Sequence, residues 1–167
     1  MAKFDLYAPI LKKLEGGFVN NPKDKGGATN CGVTLASFRA VFGRDKTVDD
    51  LKNMTDKQWK QIMKTYWDAC SADKIENQSI ANIVADWSVN SGVSGRKACQ
   101  REFGLVPDGI FGKKTLAALN STPQKCIFCR IKDAREMFYK EIVAKTPSQI
   151  AFYKGWLNRL SYFEFSS

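Results

Sequence analysis

Apolar residues recur at three- and four-residue steps along nearly the whole chain, and a single stretch breaks the rhythm. Phe4, Tyr7, Leu11 and Leu14 predict a first amphipathic helix ending near Glu15, where Gly16 and Gly17 stop it. Residues 16–34 are rich in Gly, Asn, Asp and Thr and read as a loop holding a small hairpin across Phe18-Val19 and Gly32-Val33-Thr34. The helical period then returns. Thr34 caps a short helix that Gly43 ends, and Thr47-Val48-Asp49-Asp50 is a capping-box pattern. Thr55 precedes a helix over 56–69 striped by Trp59, Ile62, Met63, Tyr66 and Trp67. Ile80, Ile83, Val84 and Trp87 mark the next, with Ser91-Gly92 as its stop and Ser94 as a cap for 95–103. Residues 105–112, LVPDGIFG, read as a turn-rich connection, and Gly112 leads into a helix over 113–119. Thr122-Pro123 and Thr146-Pro147 each read as a cap followed by proline at the first helical position, opening the last two helices. The expected fold is mostly α, with one small irregular segment near the N-terminus. Trp59, Trp67, Trp87 and Trp156 all stand at core spacing.

With 167 residues, 44% of them hydrophobic and 26% charged, the chain suits one domain, or one domain with a small lobe. It contains no histidine, which excludes Ser-His and Cys-His catalysis, histidine metal sites and an imidazole base. Acid–base chemistry falls to carboxylates, lysine, tyrosine or cysteine. The net charge of +9 is dispersed along the chain and points to an anionic polymer or surface as partner. No basic helix, zinc module or aromatic-basic sheet motif suggests nucleic acid. Five irregularly spaced cysteines make a poor disulfide framework, and Cys126-x-x-Cys129 reads as two apolar positions one turn apart on a helix. The charged N-terminus lacks a signal-peptide pattern, and no run approaches the roughly 18 apolar residues of a membrane span. The expectation is synthesis in the cytoplasm, without stable membrane insertion.

Glu15 closes the first helix and opens onto the glycine-rich stretch, so a scaffold can hold its carboxylate while it faces a cleft. Partial burial raises the pKa of a carboxylate, as a general acid requires. Asp24 sits in a polar segment able to fold back towards Glu15, and Thr29 offers a hydroxyl to orient a water. Two carboxylates flanking a sugar bond are the equipment of glycoside hydrolysis. Asp86 is the alternative second carboxylate.

These residues belong to a longer string: Glu15-Gly16-Gly17-Phe18-Val19-Asn20, then Asp24-Lys25-Gly26-Gly27-Ala28-Thr29, then Gly32-Val33-Thr34. The string resembles the signature of the glycoside hydrolase family 108 N-acetylmuramidases, lysozymes of phages, prophages and bacteria. Asp86-Trp87-Ser88-Val89-Asn90-Ser91-Gly92 resembles that family's D-x-x-V-N-x-G element. Gln100–Gly104 with Asp108-Gly109-Ile110-Phe111-Gly112 resembles a short peptidoglycan-binding motif, and Phe152–Arg159 resembles the closing F-x-x-G-W-x-x-R element. One position departs: Asn30-Cys31 stands where relatives often carry an aromatic before Gly32.

The resemblance implies a lysozyme-like catalytic part over 1–92 and a helical peptidoglycan-binding lobe over 93–167, together one compact unit. It implies a carboxylate-only endolysin-type muramidase, with Glu15 as acid, Asp24 as second carboxylate and Thr29 positioning water. Gly16, Gly17, Phe18, Asn20, Gly27, Asn90 and Asp108 would meet the substrate, and no metal or organic cofactor is implied. The expected partner is bacterial peptidoglycan, met by a monomer acting on the wall or periplasm after holin-dependent or other release. Two other readings stand beside it: a non-catalytic peptidoglycan-binding protein, and a lytic transglycosylase using the same glutamate. Asp108-Gly109 also reads as a plain turn, and Asn90 as a helix cap.

Overall fold

The computed structural model describes residues 1–20 and 27–167. Among them the chain is mostly helical, with one small sheet near the N-terminus. It forms two compact bodies: residues 5–65, and residues 1–4 with 66–167.

The body of 5–65 holds most of helix α1 (Phe4–Glu15), strands β1 (Phe18–Val19), β2 (Thr29–Asn30) and β3 (Val33–Thr34), helices α2 (Leu35–Phe42) and α3 (Val48–Lys52), and the start of α4 (Asp56–Ala69). Tyr7, Leu11, Val33, Phe38, Leu51, Trp59, Ile62 and Met63 are buried here. The expected caps form. Thr34 Oγ1 accepts from Ser37 N, and Thr47 and Asp50 complete a reciprocal capping box. Thr55 and Gln58 make a similar exchange before α4.

The sheet differs from the expected hairpin. β1 pairs not with β3 but with β2, which lies between them, and both pairings are antiparallel. The cause is the two-residue turn at Cys31-Gly32. Both residues have positive φ, 46° and 78°, as a type I′ hairpin turn requires. That turn makes Asn30 and Val33 partners, so the tight hairpin is β2–β3.

The body of 66–167 is built on α5 (Gln78–Glu102) packed against α7 (Gln124–Lys145), with α6 (Lys113–Leu119) and α8 (Ile150–Ser161). Ser79 to Ser88 of α5 are all buried, so this segment shows no polar face, as befits a central helix. The Ser91-Gly92 stop proves to be a kink. Gly92 takes φ 57°, ψ −143°, and helix resumes beyond it. The kink returns Gly95 against Trp87, where a Cβ would lie 2.7 Å from the indole Cδ1.

At α7 the proline is the cap rather than the first helical residue. Pro123 is extended, with φ −74° and ψ 131°, and its carbonyl accepts from Cys126 N at 3.0 Å. Pro147 opens a 3-10 turn, Pro147–Gln149, that leads into α8. Cys126 and Cys129 do lie on a helix, but both are exposed, so they are not part of the core. Trp67 and Trp87 are buried as expected, whereas Trp156 is only half-buried.

Candidate active site

Glu15 is the last residue of α1, and Gly16 ends the helix with φ 69°. The chain then enters β1, and Cys31 N donates to Gly17 O at 3.3 Å, tying this exit to the β2–β3 turn. The carboxylate is half-buried and lies against Gly32. A Cβ on Gly32 would fall 2.6 Å from Glu15 Cδ and 2.9 Å from Cγ, and nearer still to Oε2. Gly32 therefore serves twice, through its left-handed backbone and through its missing side chain.

The turn is anchored from below. Trp59 Nε1 donates to Cys31 O at 2.9 Å. Asn30 Nδ2 donates to Leu51 O at 2.9 Å and to Lys52 O at 3.2 Å, tying the turn to the C-terminal end of α3. Lys12, one turn before Glu15, pairs with Asp56 at 2.6 Å. The hydrogen bond to the Lys12 ammonium holds the exposed Asp56 carboxyl below its usual range.

Thr29 is half-buried on the central strand, opposite Val19 on one side and Thr34 on the other. Phe18 is half-buried opposite Asn30, with the Lys52 ammonium 5.8 Å from its ring centroid. Gly17, Asn20 and Gly27 are exposed, and Gly27 has φ 70°. Glu15, Phe18 and Thr29 thus share one body and one small sheet with the helix that feeds it. Asp24 lies outside the described residues.

Asn90 and Asp108 belong to the other body. Asp108 is exposed and closes the 105–112 connection: its Oδ1 accepts from Ile110 N and from Gln100 Nε2, each at 2.8 Å. The Ile110 amide and the Gln100 amide keep its carboxyl below the usual range. Buried Gln100 also donates to Ile110 O and accepts from Gly109 N, so the D-G-I-F-G motif is folded round this glutamine.

Asp86 is fully buried. Its Oδ2 meets Arg135 Nη2, and its Oδ1 meets Arg159 Nη2, each at 2.7 Å. Burial works to raise its pKa, but the two guanidiniums outweigh it and hold the carboxyl below its ordinary value. A carboxylate enclosed in this way cannot reach a sugar, which removes Asp86 as the second carboxylate.

Sequence reasoning missed the contact between Glu15 and Gly32 and the anchoring by Asn30 and Trp59. The signal for the first was present, since a polar residue followed by x-Gly before a β-branched pair marks a tight hairpin.

Residues 8–92 match the family model described as glycosyl hydrolase 108. Residues 91–161 match one described as a predicted peptidoglycan domain. The solved structure of SagA from Brucella abortus superimposes with a TM-score of 0.82 at 32% identity, covering 96% of this chain and 90% of that one. No curated protein matches the chain. The family model, the peptidoglycan domain and the solved relative agree, and the chain belongs to the glycosyl hydrolase 108 family, a family of peptidoglycan hydrolases.

Proposed function

We propose that this chain is an N-acetylmuramidase that hydrolyses the β-1,4 bond between N-acetylmuramic acid and N-acetylglucosamine. Glu15 protonates the leaving glycosidic oxygen. Asp24 activates the water or steadies the oxocarbenium-like transition state, and Thr29 helps to orient that water. The observation that carries this reading is the half-buried Glu15 carboxylate, set at a helix end against the bare Cα of Gly32. Only a side chain as small as hydrogen at position 32 leaves the carboxylate that place.

The lobe over 93–167 holds the enzyme on the wall, and the +9 charge supports capture by an anionic polymer. Among the described residues no helix is long and apolar enough to cross a membrane. The enzyme works as a monomer on the wall after release by a holin or another route.

Mass spectrometry of the products from purified peptidoglycan tests the reading. Muropeptides with reducing N-acetylmuramic acid ends are expected. A 1,6-anhydro product would make the chain a lytic transglycosylase, and binding without any product would make it a non-catalytic binder.

A further inference from the structure

The buried Asp86 does more than fill the core, because a polarised chain of hydrogen bonds leads outward from it. Arg135 spends one nitrogen on Asp86 and donates Nε–H to Tyr139 Oη at 2.7 Å. That oxygen now accepts, so its own proton goes to Asn90 Oδ1, also at 2.7 Å. Ser91 Oγ lies 3.3 Å from the same oxygen. The sequence of donors thus fixes which end of the Asn90 amide faces inward. The Nδ2 amine faces the other way as a donor, and among the described residues nothing accepts from it.

Asn90 borders a cavity of about 410 Å³ whose walls include Phe138, Tyr139, Ile142, Gln149 and Trp156. That size lies within the roughly 300–1,000 Å³ of small-ligand sites. Trp156 is the half-buried wall, stacked on Tyr139 with centroids 5.2 Å apart and an interplanar angle of 26°. Phe152, on the same helix, lies at the same angle to Trp156 at 6.2 Å.

We propose that this cavity is a subsite for one N-acetylhexosamine residue of a glycan strand. The proposal rests on the reading of the chain as a glycosidase of peptidoglycan, and it names where the 66–167 body grips the sugar. The stacked Tyr139 and Trp156 rings give the cavity an aromatic wall, and aromatic π-systems attract the weakly positive C–H groups of a pyranose. A fixed amide donor needs an acceptor, and the acetamido carbonyl supplies one beside a methyl group suited to Ile142 and Phe138. A buried polar chain aimed at one acceptor discriminates against a sugar that lacks it.

The test is a titration of the full chain carrying Glu15→Gln, so that the probe is not consumed. Chitotetraose is the probe, and the Asn90 side-chain amide and the Trp156 indole N–H are read by NMR. Both signals should shift and saturate, whereas cellotetraose, with hydroxyls for acetamido groups, should bind at least tenfold more weakly. Asn90→Asp, which keeps the acceptor for Tyr139 but loses the donor, should weaken chitotetraose binding by a similar factor. The proposal is overturned if the two tetrasaccharides bind alike or if chitotetraose leaves both signals unmoved. It is equally overturned if only a synthetic stem tetrapeptide moves them, because the cavity then takes the peptide. Product analysis of the wild-type chain stands apart: a muramidase product with an unresponsive cavity sinks the subsite alone.

Discussion

The Glu15 carboxylate occupies the space that any side chain at position 32 would need. Gly32 also has φ 78°, where an L-residue is strained by roughly 1–2 kcal/mol. Gly32→Ala should therefore lower stability by about that amount and displace Glu15 as well. Activity should fall far more than the melting temperature suggests, because an acid moved by about 1 Å can lose on the order of 10²-fold in rate. Thermal melts beside turnover on purified peptidoglycan check this. A variant with a lowered melting point but full turnover would show that Glu15 tolerates displacement.

Glu15→Gln keeps the shape of the side chain and removes its proton. Turnover should drop by at least the ~10²–10⁴-fold that a general acid typically contributes, with the melting curve unchanged. Asp24→Asn should likewise reduce turnover more than it weakens wall binding. Comparing rates on purified peptidoglycan with pull-down on intact sacculi separates the two effects, and wild-type rates in either variant would remove that residue from the mechanism.

Asp86→Ala belongs to a different class. It leaves the Arg135 and Arg159 guanidiniums facing each other without their carboxylate, and breaking such a buried pair typically costs about 3–5 kcal/mol. The effect should appear in denaturant midpoints before it appears in catalysis. The pH dependence follows from the depressed pKa of Asp86 in the folded state. Its contribution is fully present above the unfolded carboxylate pKa of about 3.9 and is lost as pH falls through the lower folded value. Wild-type stability should thus fall more steeply in acid than that of Asp86→Asn, and parallel acid-unfolding curves would contradict the assignment.

Local signals in the sequence accounted for most helix ends, because caps act within a few residues. Thr34, Thr47 and Thr55 each bond to an amide three positions on. Glu15 was legible for the same reason, standing where an amphipathic stripe meets two glycines. The sheet order was not, because it depends on positive φ at Cys31, a residue with no strong preference for that conformation. It is held there by an indole bond from Trp59, 28 positions away in the chain. The burial of Asp86 was not legible either, because its partners Arg135 and Arg159 lie 49 and 73 positions away, on other helices. Trp156 had core spacing yet forms a cavity wall, since periodicity marks a helix face but not what covers it.

Lysis should depend on ionic strength when the substrate is a whole wall and much less when it is a short soluble oligomer. The net charge of +9 is dispersed along the chain, with 26 lysines and arginines against 17 acidic residues. Charge of this kind acts at long range and concentrates the enzyme on an anionic surface. Salt screens exposed charges beyond a Debye length of about 10 Å at 0.1 M, and roughly 3 Å at 1 M. Raising salt at a fixed pH should weaken capture by intact walls, while cleavage of short muropeptide oligomers, which rests on contacts inside the site, should change little. Turbidity clearing of cell walls, run beside chromatographic assay of the oligomers across one salt series, reads both. If the two rates fall together, salt acts on the site itself, and if wall lysis stays flat, the positive charge has no part in reaching the substrate.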